Sequence, residues 1–255
     1  MSFDAAPLLT LIRPDWPAPA NIRAVCTTRA GGVSQPPWAS LNLGDHVGDE
    51  AGHVLQNRAR LAGACGLSPS AFGWLNQVHG TQVADLPAGE ITAIPEADAS
   101  FTRVTNKACT ILSADCLPVI LCDQNGTTVA AAHAGWRSLC GGVLENLVAS
   151  MGLPGNTLMA WLGPAIGPQA FEVGPEVRAA FIAQDPKTEA AFSAVGAREG
   201  HYMTDIYLLA RQRLERMGTT NIYGGDVCTV TDSQRFYSYR RDDQTGRMAT
   251  VIWKV

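Results

Sequence analysis

Charged residues are scarce in this chain of 255 amino acids. They make up 16% of the sequence, whereas typical globular domains contain about 25%. The formal net charge is −4, and no run of five like charges occurs. Proteins that bind nucleic acids or membrane surfaces usually carry a basic excess or a basic stripe. The composition therefore argues against both kinds of partner.

Long hydrophobic runs are also missing. No window of about 18 consecutive apolar residues occurs, so we expect no transmembrane helix. Near the N-terminus, the apolar stretch from Ala5 to Ile12 is interrupted by Pro7 and followed by Arg13 and Pro14. This stretch is too short for a secretory signal, and no basic region precedes it. We therefore expect no membrane partner and a cytoplasmic location.

The chain has no C-x-x-C motif, and its cysteines are odd in number, with seven in all. This pattern argues against a disulfide framework, which a chain of this length does not need. No internal repeat or low-complexity linker divides the sequence. We expect a single domain over residues 1–255, in which most thiols are core residues and one is a metal ligand or a nucleophile.

Apolar periodicity predicts both helices and strands. Helices are predicted over Glu50–Cys65, Gly135–Met151 and Thr204–Met217. Strands are predicted over Asn21–Thr28, Phe72–Val78, Cys109–Ala114, Leu117–Cys122, Thr127–Ala132, Leu158–Leu162, Ile222–Tyr223, Phe236–Arg240 and Met248–Trp253. The two kinds of element do not alternate as regular βαβ units. We therefore predict a mixed α/β or α+β sandwich rather than a Rossmann fold.

Three potential metal ligands, His79, Cys116 and His133, stand at the ends of predicted strands. Cys116 lies 37 residues after His79, and His133 lies 17 residues after Cys116. These separations are too long for a zinc finger and suit a site built across neighbouring strands. Three protein ligands leave a fourth position open, as in catalytic zinc sites. Copper also accepts imidazole and thiolate ligands, so residue type leaves the metal open.

The surroundings of His133 favour a site with open space. Ala132, Ala134 and Gly135 are all small. Gly135 also begins a predicted helix, whose free N–H groups favour an anion, and Arg137 follows in the first turn. A buried cysteine is usually a small packing residue, so a structural role for Cys116 also stays open.

Several sequence strings resemble those of the YfiH family, also called the laccase-domain or multicopper polyphenol oxidase family. They occur in the family's order over nearly the whole chain, and Ser138 departs from the glycine usual there. The strings are Thr28-Arg29-Ala30-Gly31-Gly32-Val33-Ser34, Ser40 to Asp49, Asn76-Gln77-Val78-His79-Gly80, Ala114-Asp115-Cys116-Leu117-Pro118-Val119, His133-Ala134-Gly135-Trp136-Arg137, Gly163 to Pro168 and Phe236 to Asp242.

The resemblance implies a mixed-sheet sandwich with helices on the outside and a metal site at His79, Cys116 and His133. It also implies phosphorolysis of purine nucleosides (adenosine, inosine, guanosine and methylthioadenosine) and deamination of adenosine. A separate family role is removal of a wrongly incorporated serine from a muropeptide precursor. True multicopper oxidases use many histidines in His-x-His pairs, but this chain has five histidines and no such pair. Laccase-like oxidation is therefore the weaker alternative.

Further residues are candidates for catalysis and substrate binding. Asp115 is the candidate acid that moves a proton during deamination, or else it orients a ligand histidine. Arg29 and Arg137 are candidate phosphate ligands, since guanidinium binds phosphate through two hydrogen bonds. Asn42 could bind sugar or base, and His46 could face the cleft. The alternatives are salt bridges for the arginines, a turn for Asn42 and a solvated loop for His46.

The same residues allow a second class of enzyme. Cys116, activated by His133, could be the nucleophile of a metal-free amide hydrolase. A non-enzymatic module with a structural metal is disfavoured because no fourth cysteine or histidine lies nearby in the sequence. The expected partners are small molecules, namely a purine nucleoside and phosphate. The sequence does not indicate an oligomeric state.

Overall fold

The computed structural model describes residues 9–89 and 93–255. In this part of the chain, helices α1 to α6 cover Ala51–Cys65, Trp136–Gly141, Val143–Met151, Pro175–Gln184, Ile206–Arg216 and Tyr239–Asp242. Strands β1 to β7 cover Leu11–Ile12, Ile22–Thr27, Phe72–Gly73, Val83–Asp85, Ala99–Thr102, Ala108–Ser113 and Leu117–Asp123. Strands β8 to β14 cover Val129–Ala134, Leu158–Leu162, Glu172–Val173, Phe192–Ser193, Tyr202–Thr204, Asn221–Gly224 and Met248–Lys254.

Two large mixed sheets dominate the described residues. The first has the strand order β1-β2-β14-β6-β3, in which only the β3–β6 pair is parallel. The second has the order β13-β9-β7-β8-β5-β4, with parallel pairs at β13–β9 and β4–β5. A small antiparallel sheet, β10-β12-β11, lies apart from both.

The two large sheets pack face to face, with helices on their outer surfaces. Strand β7 shows why: its side chains alternate, so Ile120 faces the first sheet while Val119 and Leu121 face the helices. Leu61 of α1 packs on the outer face of the first sheet, and Leu147 of α3 on that of the second. This arrangement confirms the predicted α+β sandwich with outer helices. No helix among the described residues is long and apolar enough to cross a membrane.

Most predicted elements are confirmed with small shifts at their ends. Helix α1 begins one residue later than predicted and ends at Cys65, where Gly66 adopts the left-handed conformation that closes it. The central strands β6, β7, β9 and β14 also lie where apolar runs predicted them. Strand β8 runs two residues further than predicted, so His133 lies within the strand rather than after it.

The strand predicted over Phe72–Val78 is wrong beyond Gly73. Only Phe72 and Gly73 pair with β6. Further along, the side chain of Gln77 takes over the pairing, because its amide donates to the carbonyl of Leu112 and accepts from the N–H of Leu112. This exchange satisfies the edge of β6 and leaves the backbone after Gln77 free to form a loop.

The other two corrections concern a helix and a strand. The helix predicted over Gly135–Met151 is broken at Gly142, which adopts φ +99° between α2 and α3. The strand predicted over Phe236–Arg240 is wrong: Phe236, Tyr237 and Ser238 form a buried irregular segment, and α6 follows. Ser238 caps that helix, since its hydroxyl accepts from the N–H of Arg241.

Candidate metal centre

Strand pairing brings two of the three predicted ligands together. Cys116 lies in the turn between β6 and β7, one residue before β7 begins. In the antiparallel pair of β7 and β8, Pro118 lies opposite His133. His79 comes from the loop after β3, where its backbone adopts φ +59°. That conformation is uncommon for a residue other than glycine and is held by contacts described below.

The three side chains form a compact group of donor atoms. One ligand atom from each of His79, Cys116 and His133 lies within 4.8 Å of the others. Nε2 of His79 is 3.8 Å from Sγ of Cys116, and the two imidazole rings meet edge to face at 4.9 Å between centroids. Zn–S and Zn–N bonds of about 2.3 and 2.0–2.1 Å in a tetrahedron separate sulfur and nitrogen by about 3.5 Å. The group could therefore hold a metal ion of this size.

Asp98 connects both histidines and was not among the predicted site residues. Its Oδ1 is 2.8 Å from Nδ1 of His133, which leaves Nε2 of that ring for a metal. The same carboxylate accepts the backbone N–H groups of Val78, His79 and Gly80. Those bonds hold His79 in its positive-φ conformation. Although the side chain of Asp98 is fully buried, hydrogen bonds from His133, Gly80 and Val78 outweigh that burial and lower its pKa.

Gly135 provides the space beside these ligands. A Cβ atom at this position would lie 2.9 Å from Sγ of Cys116 and 3.2 Å from Cδ2 of His79. The residue caps the short helix α2 with φ −57°, an angle that any residue can adopt. Glycine is therefore required here by the closeness of the ligands and not by the backbone.

The electrostatics of the group favour a thiolate. Burial raises the pKa of the Cys116 thiol, but the charge of His133 and hydrogen bonds from His133 and His79 outweigh it and lower the pKa to about 6. Burial lowers the pKa of His133, but the charge of Cys116 and the hydrogen bond to Asp98 outweigh that effect and raise it to about 9. Without metal, Cys116 and His133 thus form a thiolate–imidazolium pair near neutral pH.

The group opens into a cavity of about 600 Å³, a volume that fits a small-molecule ligand. Of the predicted residues, Asp115, His46 and Arg137 line this cavity together with His79, Cys116 and His133. The rest of the lining includes apolar side chains, polar groups and two further arginines: Gln77, Leu112, Ser113, Ala114, Trp136, Ile166, Phe171, Ile206, Tyr239, Arg240 and Arg247.

Arg29 and Asn42 are not among the residues that line the cavity. The guanidinium of Arg29 donates to the carbonyls of Ala39 and Ser233 and lies over the ring of Tyr237. Asn42 is buried, and its Oδ1 accepts from the backbone N–H groups of Gly44 and Arg247. Both side chains hold loops together here, so their roles in substrate binding stay predictions.

Asp115 lines the cavity, but the protein occupies both of its carboxylate oxygens. Oδ1 accepts from the hydroxyl of Thr229, and Oδ2 accepts from the hydroxyl of Ser238 and the N–H of Arg240. Its backbone adopts φ +87° directly before Cys116. These contacts orient the turn that carries Cys116, rather than a ligand histidine. The role of Asp115 as a proton-transferring acid stays a prediction.

Sequence reasoning missed Asp98, Gln77, Arg240 and Arg247. For Asp98 a signal was present, because it directly precedes the short strand-forming segment Ala99–Thr102, and a carboxylate beside a buried strand is rarely without partners. No comparable signal marked Arg247. It stands 114 residues after His133 in the sequence, and only the fold brings it to the cavity.

Comparison with known proteins gives consistent results. The chain is 54% identical over 245 residues to the purine nucleoside phosphorylase YfiH of Escherichia coli, covering 96% of this chain and 99% of that protein. A purine nucleoside phosphorylase of Pseudomonas aeruginosa is 53% identical over 242 residues, which is 95% of this chain and 97% of the relative.

Solved structures show the same fold. A Neisseria meningitidis protein superposes with a TM-score of 0.91 at 48% identity and covers 96% of this chain and 98% of its own. The protein YlmD of Geobacillus stearothermophilus superposes with a TM-score of 0.90 at 30% identity and covers 96% of both chains. A family described as multi-copper polyphenol oxidoreductase laccase matches residues 23–255. The chain therefore belongs to this laccase-like family, which includes YfiH.

Proposed function

We propose that this protein is a metal-dependent purine nucleoside phosphorylase that accepts adenosine, inosine, guanosine and methylthioadenosine. The observation that carries the proposal is the His79–Cys116–His133 group in a cavity of about 600 Å³. It occurs in a chain that is 54% identical, nearly end to end, to a relative named for this activity.

Zinc is the metal that we propose for this site. Nε2 of His79, Sγ of Cys116 and Nε2 of His133 would hold it, and a fourth position would face the cavity. Bound there, zinc supplies a Lewis acid for a substrate oxygen or nitrogen. Copper accepts the same donors. The group is the one cluster of three or more such donors in residues 9–89 and 93–255, so the multinuclear chemistry of true laccases has no support from the donor count.

The proposed reaction transfers a ribosyl group to phosphate. A phosphate oxygen forms a bond to C1′, the bond between C1′ and the purine nitrogen breaks, and the base keeps the electron pair and takes up a proton. Trp136 and Phe171 offer aromatic surface for the base. Arg137 lies over the ring of Trp136 at 4.4 Å, which places a cation beside that surface. Asp98 keeps His133 in one orientation throughout.

We also propose that adenosine is deaminated in the same cavity. In this reaction water adds at C6 of adenine, ammonia leaves and inosine forms. Asp115 is the candidate for the proton transfer because it lines the cavity next to Cys116. Since both of its oxygens accept hydrogen bonds from the protein, one of those bonds must open for it to act as an acid.

The test is product analysis by mass spectrometry. Protein of measured zinc content is incubated with adenosine, with and without phosphate, beside His133→Ala and a control, His201→Ala. His201 lies outside the cavity, and its Nδ1 contacts the carbonyl of Glu199. Phosphorolysis is supported if adenine and ribose 1-phosphate form only when phosphate is present. They should form with wild type and the control but not with His133→Ala. Inosine that forms without phosphate supports deamination. If zinc-loaded protein forms no product under any of these conditions, the nucleoside proposal is wrong.

One observation favours a second candidate, a cysteine amide hydrolase; the substrate that we propose for it, a muropeptide precursor, rests on the family resemblance. Cys116, His133 and Asp98 form a nucleophile, base and orienting carboxylate, and the pKa of Cys116 is lowered to about 6. Metal content separates the two proposals. Zinc at one equivalent that protects Cys116 from iodoacetamide argues for the metal site. Rapid alkylation of Cys116, in protein that hydrolyses the muropeptide amide, argues for Cys116 as the nucleophile.

A further inference from the structure

The charge in the cavity is unbalanced. Three arginines, Arg137, Arg240 and Arg247, line it, and the lining contains one carboxylate, that of Asp115. Both oxygens of Asp115 already accept hydrogen bonds from Thr229, Ser238 and a backbone N–H. The ion pairs of the described residues include none of these three arginines. In a chain of net charge −4, this local excess of positive charge is suited to an anionic ligand.

Arg247 differs from the other two because it is half-buried, whereas Arg137 and Arg240 are exposed. Like Arg240, which donates to the carbonyls of Ala170 and Glu172, it is held by backbone carbonyls. Its Nη1 donates to the carbonyls of Thr245 and Gly246, and its backbone N–H donates to Oδ1 of Asn42. Its side chain crosses Gly44 so closely that a Cβ there would lie 2.8 Å from Cγ of Arg247. Burial lowers the pKa of Arg247. A desolvated guanidinium without a carboxylate partner is costly, and a bound anion would offset that cost.

His46 lies beside Arg247. Its side chain is exposed, but partial desolvation and then the charge of Arg247 lower the pKa of His46. Nδ1 of His46 is 3.6 Å from a carboxylate oxygen of Asp45, and the other oxygen of Asp45 is 3.2 Å from Arg58. The negative charge of Asp45 is thus shared with Arg58, and Nε2 of His46 is the ring nitrogen left for a ligand.

These residues also mark the place where two cavities meet. His46, Tyr239 and Arg247 line both the main cavity and an adjoining one of about 250 Å³. The guanidinium carbon of Arg247 is 5.9 Å from the centroid of Tyr239, which packs against it. Among the described residues, Nε and Nη2 of Arg247 make no hydrogen bond. They form the planar edge that binds two oxygens of a phosphate.

We propose that Arg247, assisted by His46, binds the phosphate that enters the reaction. The proposal rests on the proposed function for the identity of the anion, whereas the binding of an oxyanion at Arg247 does not depend on it. In this proposal Arg247, instead of Arg29, is the phosphate ligand. Asn42 has a positioning role, because its Oδ1 accepts a hydrogen bond from the backbone N–H of Arg247. Arg137 and Arg240 are both exposed and lie further toward solvent.

The first test measures binding without turnover. Zinc-loaded protein in phosphate-free buffer is titrated with inorganic phosphate, and thermal unfolding is followed for wild type, Arg247→Gln, Arg247→Lys and His46→Gln. Arg103→Gln is the matched control, since Arg103 also lies over an aromatic ring and donates to a carbonyl but is outside the cavity. Phosphate should stabilise wild type and the control. Arg247→Gln should need roughly ten- to hundredfold more phosphate for the same shift.

The second test is kinetic. In Arg247→Gln the KM for phosphate should rise by a similar factor, whereas the KM for the nucleoside and the zinc content should change little. If Arg247→Gln does not fold, Arg247→Lys decides: it keeps the charge but lacks the two-pronged edge, so it must also weaken phosphate binding. Unchanged phosphate binding in folded Arg247 variants overturns the subsite even if phosphorolysis is observed. If the Arg247 variants lose phosphate binding while wild type binds phosphate but cleaves no nucleoside, the subsite is supported and the proposed function is contradicted.

Discussion

Asp98 and His133 form the central contact of the candidate metal centre. Oδ1 of Asp98 is 2.8 Å from Nδ1 of His133, and the main-chain N–H of His133 donates to the carbonyl of Asp98 at 2.7 Å. The same carboxylate holds the backbone on both sides of His79. One buried side chain therefore fixes the orientation of one histidine and the loop conformation of the other.

Replacement of this carboxylate should weaken metal binding. In Asp98→Asn the amide keeps the size of the side chain but removes its charge and one acceptor. We expect a ten- to hundredfold loss of zinc affinity, the usual effect of removing a carboxylate that supports a ligand histidine. Competition with a zinc-chelating dye measures the affinity. Asp226→Asn, at an exposed position, is the control, and equal affinities in the two variants would contradict the role given to Asp98.

Zinc binding should release about one proton from the Cys116–His133 pair at pH 7.5. At this pH Cys116, with a pKa of about 6, is already a thiolate, and His133, with a pKa of about 9, still carries a proton. A metal needs the thiolate and the neutral imidazole, so His133 supplies the proton. Calorimetry in buffers of different ionisation enthalpy counts the protons released.

The same pair sets the pH dependence of zinc affinity. Between pH 6 and 9 the affinity should fall roughly tenfold for each unit that the pH drops, because one proton must leave the pair. Below about pH 6 Cys116 is protonated as well, and the fall should become steeper. Release of two protons from the pair at pH 7.5 would show that Cys116 is a thiol there.

Gly135→Ala tests the space around the ligands. The added Cβ would lie 2.9 Å from Sγ of Cys116, which forces the ligands apart. Overpacking of this kind costs about 1–3 kcal/mol, so zinc affinity should fall roughly ten- to hundredfold. Gly63→Ala is the control, because a Cβ there meets nothing within 4 Å. In helix α1 that change should stabilise the fold by up to about 1 kcal/mol. Unchanged zinc affinity in Gly135→Ala would show that the ligands tolerate the methyl group.

Asp115→Asn separates a positioning role from a catalytic one. The amide replaces one of the two acceptor oxygens with an NH2 group, which then faces either the hydroxyl of Thr229 or the donors of Ser238 and Arg240, so we expect a loss of about 1–3 kcal/mol. Thermal unfolding should therefore occur roughly 2–10 °C lower. Asp243→Asn, an exposed residue that also has positive φ, is the control. An unchanged unfolding temperature together with lost adenosine deamination would instead identify Asp115 as the acid.

The sequence alone determined the elements whose signals are local. The apolar stripe of Val54, Leu61 and Ala62 predicted α1, and buried apolar runs predicted β7 and β9, because burial of one face selects a regular element. Residue type and small neighbours also pointed to His79, Cys116 and His133 as one group, which the fold brings within 4.8 Å.

Only the tertiary structure decided which polar side chains support that group. Where a strand was predicted, the side chain of Gln77 forms hydrogen bonds with the backbone of Leu112, 35 residues away. Asp98 reaches His133 across the β5–β8 pair. Arg247 reaches the cavity because the last strand lies in the middle of the first sheet. Hydrogen bonds between distant segments, and the burial that makes them strong, depend on neighbours in space. Local sequence patterns carry no record of those neighbours.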